Sequence, residues 1–303
     1  MREFLTPASD VDAMRLLTTT SPNLVIALEG EDDAQLLHDN INSEITLYVS
    51  SAGKLGLLKA AFDAQTEGIK HAIFVADRDF DDFSETALSY PHNVVLTHHH
   101  DCFVDIVFES LETLVRVVEH KLKHSKKAMR DPSTNTFSLA SDIVAQAIGL
   151  AKHKAVVRAV ATRLSIGLDF KSYSFFGQPT TEITPEIIYN TLSSHYRGKT
   201  PLPPNASDLL NITRTEIDDL DYSPVGDHDL IQAIRAILIE RFNIGLSEDR
   251  FRALIVLTFT ISHLLKAHWC TTIAMWTKQF NIDLFTEQIA SQNLSVLIPS
   301  RTH

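Results

Sequence analysis

Short apolar runs alternate with amphipathic stretches over the first hundred residues of the chain. The apolar runs are continuous for four or five residues, as in strands that are buried on both faces of a sheet. Between them, apolar positions recur at helical spacing, most clearly over residues 55–66, where Gly68 then ends the predicted helix. The predicted strands are Leu24–Leu28, Ile45–Val49, Ala72–Ala76 and Val94–Thr97. Strands that alternate with helices over short links predict a parallel, Rossmann-like α/β sheet.

The strand pattern ends after residue 123, and the rest of the chain has apolar positions at helical spacing. Predicted helices cover residues 103–123, 140–164, 227–242, 247–266 and 267–279. We therefore expect an N-terminal α/β domain over residues 1–125 and a mostly α-helical C-terminal domain over 126–303. A linker is expected near 196–207, where glycine and proline cluster.

The composition is that of a folded protein: 44% of the 303 residues are hydrophobic and 21% are charged. These values exclude a disordered or low-complexity chain. Two cysteines can form neither a disulfide framework nor a four-thiolate zinc site. The first residues lack the apolar run of a signal peptide, and Lys266 interrupts the long apolar stretch 253–276. We expect a soluble, cytoplasmic protein that does not contact a membrane.

Charge is distributed unevenly along the chain. The formal net charge of −11 disfavours nucleic acid as a partner of the chain as a whole. Residues 1–110 carry 6 basic and 19 acidic side chains, however, whereas residues 111–165 carry 10 basic and 4 acidic ones. The basic segment 111–165 is either a phosphate-binding surface or the solvated face of a helix.

Acidic side chains follow two of the predicted strands. Glu29 follows the first strand, and Asp77 and Asp79 follow the third. If these strands are neighbours, the three carboxylates meet at the carboxyl edge of the sheet, where parallel sheets bind ligands. In an extended segment, Asp77 and Asp79 would face the same side. Mg²⁺ is the natural ion for such a group, and Asp33, one helical turn after Glu29, could help to hold a second ion. Helix caps and solvated loops are the alternative explanation.

Two motifs resemble a known domain. Leu28-Glu29-Gly30 after the first strand and Asp77-Arg78-Asp79 after the third resemble the Toprim domain of topoisomerases, primases and overcoming-lysogenization-defect nucleases. Together with Ala52-Gly53-Lys54 and Thr97-His98-His99-His100-Asp101, they are most similar to the Toprim nucleases found beside an ABC-type ATPase in PARIS-type anti-phage systems. The chain departs from that branch at Cys102-Phe103-Val104, where related sequences carry acidic and amide residues.

The resemblance implies a function and assigns roles to residues. Glu29 would be a general acid/base or a metal ligand, and Asp77 and Asp79 would hold Mg²⁺, or Mn²⁺ in its place. Lys54 would meet a substrate phosphate, and basic-segment side chains would add further substrate contacts (Lys152, Lys154 and Arg158). The implied protein is an endoribonuclease that cleaves host tRNA, a homodimer when active, after release from an ABC-type ATPase partner.

Other functions remain open or are disfavoured. A Toprim nuclease that acts on DNA would use the same carboxylates, and a non-catalytic adaptor could bind metal with them. Ser51-Ala52-Gly53-Lys54 lacks the first glycine and the Ser/Thr of a P-loop, which disfavours ATP binding there. Zinc at His98–His100 is disfavoured because no second pair of ligands has zinc-like spacing.

Overall fold

The computed structural model describes residues 7–20, 23–85, 89–130, 133–170, 175, 185–198 and 201–286. The described residues belong to two compact units. The sheet unit takes those within 1–77, 89–98 and 259–303, and the helical unit takes those within 78–88 and 99–258. The sheet unit thus includes residues from the end of the chain. The division into functional domains at residue 125 stays a prediction.

The sheet unit contains a four-stranded parallel sheet, which confirms the predicted α/β class. Its strands are β1 (Leu24–Leu28), β2 (Ile45–Val49), β3 (Ala72–Ala76) and β4 (Val94–Leu96). They lie in the order β2-β1-β3-β4, and every pair is parallel. All residues of β1 and β3 are buried, as their continuous apolar runs predicted.

Helices make up most of the remaining described residues. In chain order they are α1 (Pro7–Thr20), α2 (Glu31–His38), α3 (Gly53–Glu67), α4 (Cys102–Glu109), α5 (Leu111–Lys123), α6 (Thr136–Arg163), α7 (Pro185–His195), α8 (Ala206–Asp218), α9 (Asp227–Phe242), α10 (Glu248–Val256), α11 (Ile261–Leu264) and α12 (His268–Lys278). Within the described segments, no helix combines the length and the apolar composition needed to cross a membrane.

In the sheet unit, helices α1 and α3 pack together, and their buried side chains share a core with β1 and β3. Met14, Leu57 and Phe74 are among the fully buried members of this core. Gly68 ends α3 with a φ of 72°, a left-handed conformation that glycine adopts without steric cost. Helix α12, near the end of the chain, contacts β4.

The 28-residue helix α6 is the centre of the helical unit and contacts α5, α7, α8 and α9.

Two predicted helices proved to be interrupted. The helix predicted over 103–123 breaks at Ser110, whose φ of −141° and ψ of 44° are not helical. The one predicted over 247–266 is divided into α10 and α11, because the side chain of Thr260 caps a new helix start by accepting a hydrogen bond from the His263 N–H.

Candidate metal centre

Two acidic side chains of the sheet unit follow neighbouring strands. Strands β1 and β3 are directly paired, with Leu28 opposite Val75, so the condition behind the predicted carboxylate group is met. Glu29 follows β1 and Asp77 follows β3 at the same edge of the sheet. Both are half-buried, and the Oε2 atom of Glu29 is fully shielded from solvent.

Asp33 joins this edge from the first turn of α2. Gly30 precedes the helix, and its N–H donates to Asp33 Oδ2 at 3.1 Å, which fixes the carboxylate at the helix start. A β-carbon on Gly30 would lie only 3.3 Å from that oxygen, so the glycine permits the close approach. Asp33 is 9% exposed, although the exposed residues Glu31 and Asp32 come directly before it.

A carboxylate oxygen of Asp33 lies within 4.8 Å of a carboxylate oxygen of Asp77. Two unit charges at that distance repel by about 3 kcal/mol at an effective dielectric constant of about 20. A divalent cation between them would replace this repulsion with attraction, and carboxylate oxygens are the ligands that Mg²⁺ prefers. This pair therefore suits a hard cation, and Glu29 stands at the end of the adjacent strand.

Asp79 belongs to the helical unit, and its backbone is not extended. Its φ is +52°, in the left-handed region, so the extended backbone that was expected over Asp77–Asp79 does not extend through Asp79. The Asp79 N–H donates to the His100 carbonyl at 3.0 Å, and Asp79 Oδ1 lies 3.9 Å from His100 Nε2. The role of Asp79 as a metal ligand stays a prediction.

His100 is held between two carboxylates of the helical unit. Its Nδ1 lies 3.3 Å from Asp101 Oδ2, and its ring packs edge-on against Phe80. Burial opposes a positive charge on His100, but Asp101 and Asp79 outweigh burial and raise its pKa. A protonated His100 would therefore be stabilised by both neighbours.

The residues on either side of His100 in the sequence, His99 and Asp101, form hydrogen bonds with backbone N–H groups. The ring of His99 accepts a hydrogen bond at Nδ1 from the Ser223 N–H at 2.8 Å. Asp101 caps α4 by accepting from the Val104 N–H at 2.8 Å, and it also accepts from the Asp227 N–H at 2.9 Å, at the start of α9. Asp101 thereby links the start of α4 to the start of α9.

Asp10 fastens the loop that precedes Lys54. Asp10, on α1, is 1% exposed and accepts hydrogen bonds from Tyr48, Ser50 and Ser51 at 2.8, 2.9 and 2.8 Å. Burial, together with the Asp10 carboxylate, raises the pKa of Tyr48. Lys54 follows in the first turn of α3 and is half-buried. Nothing in the sequence pattern identified Asp10, because its partners lie about 40 residues away.

The three basic residues expected to bind substrate all form ion pairs inside the helical unit. Lys152 lies 2.6 Å from Asp218, and Lys154 lies 2.6 Å from Asp229. Arg158 also reaches Asp229, at 3.3 Å. Lys154 is only 4% exposed, so its geometry favours a structural role. Substrate contact by these residues stays a prediction.

The sequence matches no known family model and no curated protein. The geometry of the sheet edge and the two motifs are therefore the basis for any functional proposal.

Proposed function

We propose that the chain is a magnesium-dependent nuclease with its active site at the edge of the sheet where β1 and β3 end. The observation that carries this proposal is the approach of Asp33 and Asp77 to within 4.8 Å. Carboxylates that repel one another away from bulk water are costly to the fold, and Asp33 is buried while Asp77 is half-buried. Sites that bind cations for catalysis commonly contain such pairs.

Magnesium would be held by Asp33 and Asp77, with Glu29 and Asp79 as the further ligands that the motif resemblance implies. When bound, the ion would offset the negative charge that develops on the phosphodiester oxygens during cleavage. Glu29, shielded at Oε2, is suited to hold or move a proton beside the reacting phosphate. Lys54, in the first turn of α3 after the loop fastened by Asp10, would contact a substrate phosphate.

The proposed substrate and partner rest on the resemblance to Toprim nucleases of PARIS-type systems. We propose that the substrate is RNA, in particular host tRNA, and that cleavage arrests translation during phage infection in the cytoplasm. An ABC-type ATPase would hold the chain inactive until infection, and the released chain would act as a homodimer.

The test compares wild type with Glu29→Ala and Asp77→Asn. Each protein is induced in bacterial cells, alone and with an ATPase encoded beside it, and total RNA and DNA are examined for cleavage. The purified proteins are then assayed on tRNA and on duplex DNA with and without Mg²⁺. Discrete tRNA cleavage that needs Mg²⁺ and is lost in both variants is the expected result.

Asp32→Asn is the matched control, because it changes an exposed carboxylate next to Asp33 on the same helix. It should cleave as wild type does. Full activity of Glu29→Ala and Asp77→Asn would refute the proposed site. Cleavage of DNA alone would point to the DNA-directed nuclease, and intact nucleic acid in every sample, with the ATPase still bound, would point to the metal-binding adaptor.

A further inference from the structure

A basic cavity lies in the helical unit, in a region that the proposed nuclease site does not use. It has a volume of about 540 Å³ and opens between the residues that follow α5 and those that follow α9. Four of its lining residues carry a full positive charge (Lys121, Lys126, Lys127 and Arg130), and His124 adds an imidazole. Among the residues that the structure describes, ten line the cavity and none of these is acidic. Concentrated positive charge around a concave surface attracts anions.

Backbone geometry holds the basic side chains outward. After α5 the chain makes one further turn, in which the Met129 N–H donates to the Ser125 carbonyl at 3.1 Å. Ser125 and Ala128 are buried, and Ser125 Oγ donates to the Phe242 carbonyl at 3.2 Å. Lys126 and Lys127, between these two anchors, are exposed. The anchors therefore fix the turn, and the lysines face solvent at the cavity.

Internal ion pairs do not account for these charges. Among the residues that the structure describes, no carboxylate forms an ion pair with Lys121, Lys126, Lys127 or Arg130. Lys123, on the same helix, differs in this respect, because its Nζ lies 2.8 Å from Glu119. The charge of Lys123 is therefore balanced by a carboxylate on its own helix, whereas the described carboxylates form no such pair with the four cations of the cavity.

The helix macrodipole explains only part of the arrangement. Cations near a helix C-terminus are stabilised by the partial negative charge of the last carbonyls, and Lys121 lies in the last turn of α5. This effect falls off within the last turn of the helix. Lys126, Lys127 and Arg130 come after the end of α5, so the dipole does not explain their grouping.

We propose that this cavity binds the phosphate groups of a polyphosphate ligand. Its volume is in the range of small-molecule sites, and lysine and arginine are the usual phosphate-binding side chains. Half-buried Phe242 offers an apolar surface beside the charges. A free polyphosphate chain and the backbone of single-stranded RNA present the same phosphate chemistry. This inference does not depend on the nuclease activity.

The test measures binding in the absence of divalent metal, so that cleavage does not contribute. Calorimetry with inorganic tripolyphosphate and fluorescence anisotropy with a labelled eight-nucleotide RNA distinguish the two sources. The cavity variant is Lys126→Gln/Lys127→Gln, and the control is Lys70→Gln/Lys266→Gln, which removes two exposed lysines of the sheet unit. All four residues are exposed, so both variants should fold, which far-ultraviolet circular dichroism checks.

Wild type should bind at least one of the two ligands, and the cavity variant should bind it at least tenfold more weakly. For RNA, the negative slope of log K against log salt should also become shallower by about 1.4, since each of the two lost phosphate contacts on a single strand contributes about −0.7. The control should keep the affinity of wild type. Failure of wild type to bind either ligand, or an equal loss in both variants, would overturn the proposal.

Discussion

Lys154 on α6 and Asp229 on α9 form a buried ion pair, with 2.6 Å between Nζ and Oδ1. Their side chains are 4% and 8% exposed. The rings of Phe170 and Phe175 lie 5.0 and 5.6 Å from the ammonium group, and Arg158 shares the Asp229 carboxylate. Burial lowers the pKa of Lys154, while Asp229 opposes that change. Part of the positive charge of α6 is therefore buried inside the helical unit.

The first prediction is that Asp229→Ala will strongly destabilise the protein, because it leaves the Lys154 ammonium buried without its carboxylate. Removal of one partner of a buried pair costs about 3–5 kcal/mol. The double variant Lys154→Met/Asp229→Leu should recover most of that loss, since it removes both charges. Lys152→Ala, which breaks the more exposed pair with Asp218, should cost less than about 1 kcal/mol. Urea unfolding measures all three, and equal losses for Asp229→Ala and Lys152→Ala would contradict the buried-pair account.

How far the fold follows from the sequence differs between its two units. The four strands were predicted because each is a continuous apolar run that ends in polar residues. The placement of Glu29 and Asp77 at the ends of neighbouring strands also follows from local pattern. The approach of Asp33 to Asp77 was not predicted, because Asp33 was expected only to help hold a second ion. The break at Ser110 was missed, because apolar spacing continues across it and only the backbone geometry marks it. The burial of Lys154 was missed because its partner lies 75 residues further along the chain.

The second prediction concerns the loop before α3. Asp10→Ala removes three hydrogen bonds and leaves Tyr48, Ser50 and Ser51 without their common acceptor. At about 1 kcal/mol for each hydrogen bond, stability should fall by about 3 kcal/mol. Asp12→Ala, which changes an exposed carboxylate on the same helix, should cost less than about 1 kcal/mol. Chemical unfolding compares the two variants, and a similar small effect of both would show that Asp10 does not fasten the loop.

The third prediction is a loss of stability in mild acid through His153. Burial, assisted by Arg214, lowers the pKa of His153 from 6.5 to about 4, although Asp218 opposes the change. The unfolded chain therefore binds the proton more readily than the folded one, so the contribution of this group is fully present above pH 6.5 and is lost as the pH falls toward 4. One such group accounts for about 1 kcal/mol between pH 7 and pH 5.5.

The measurement is urea unfolding of wild type and His153→Gln at both pH values. Glutamine does not titrate, so the variant should lose about 1 kcal/mol less than wild type over that interval. Parallel losses in the two proteins would assign the acid sensitivity to other groups.

The fourth prediction separates a metal site from an accidental pair of carboxylates. If Asp33 and Asp77 hold Mg²⁺, the ion binds the folded chain alone and must raise its stability, by about 1.4 kcal/mol at ten times the dissociation constant. Addition of EDTA should abolish the gain. Without metal, Asp77→Asn should be at least as stable as wild type, because it removes the repulsion between two charges within 4.8 Å. With Mg²⁺, the same variant should gain nothing.

Asp32→Asn should respond to Mg²⁺ as wild type does, since the Asp32 side chain is exposed. A melting-temperature series in Mg²⁺ and in Ca²⁺ measures these effects for all three proteins. A purely structural role for Asp77 would lower stability in the variant with or without metal, whereas a ligand role changes the sign of the effect when metal is added. An unchanged melting temperature of wild type across the Mg²⁺ series would mean that the carboxylates at this edge serve the fold alone.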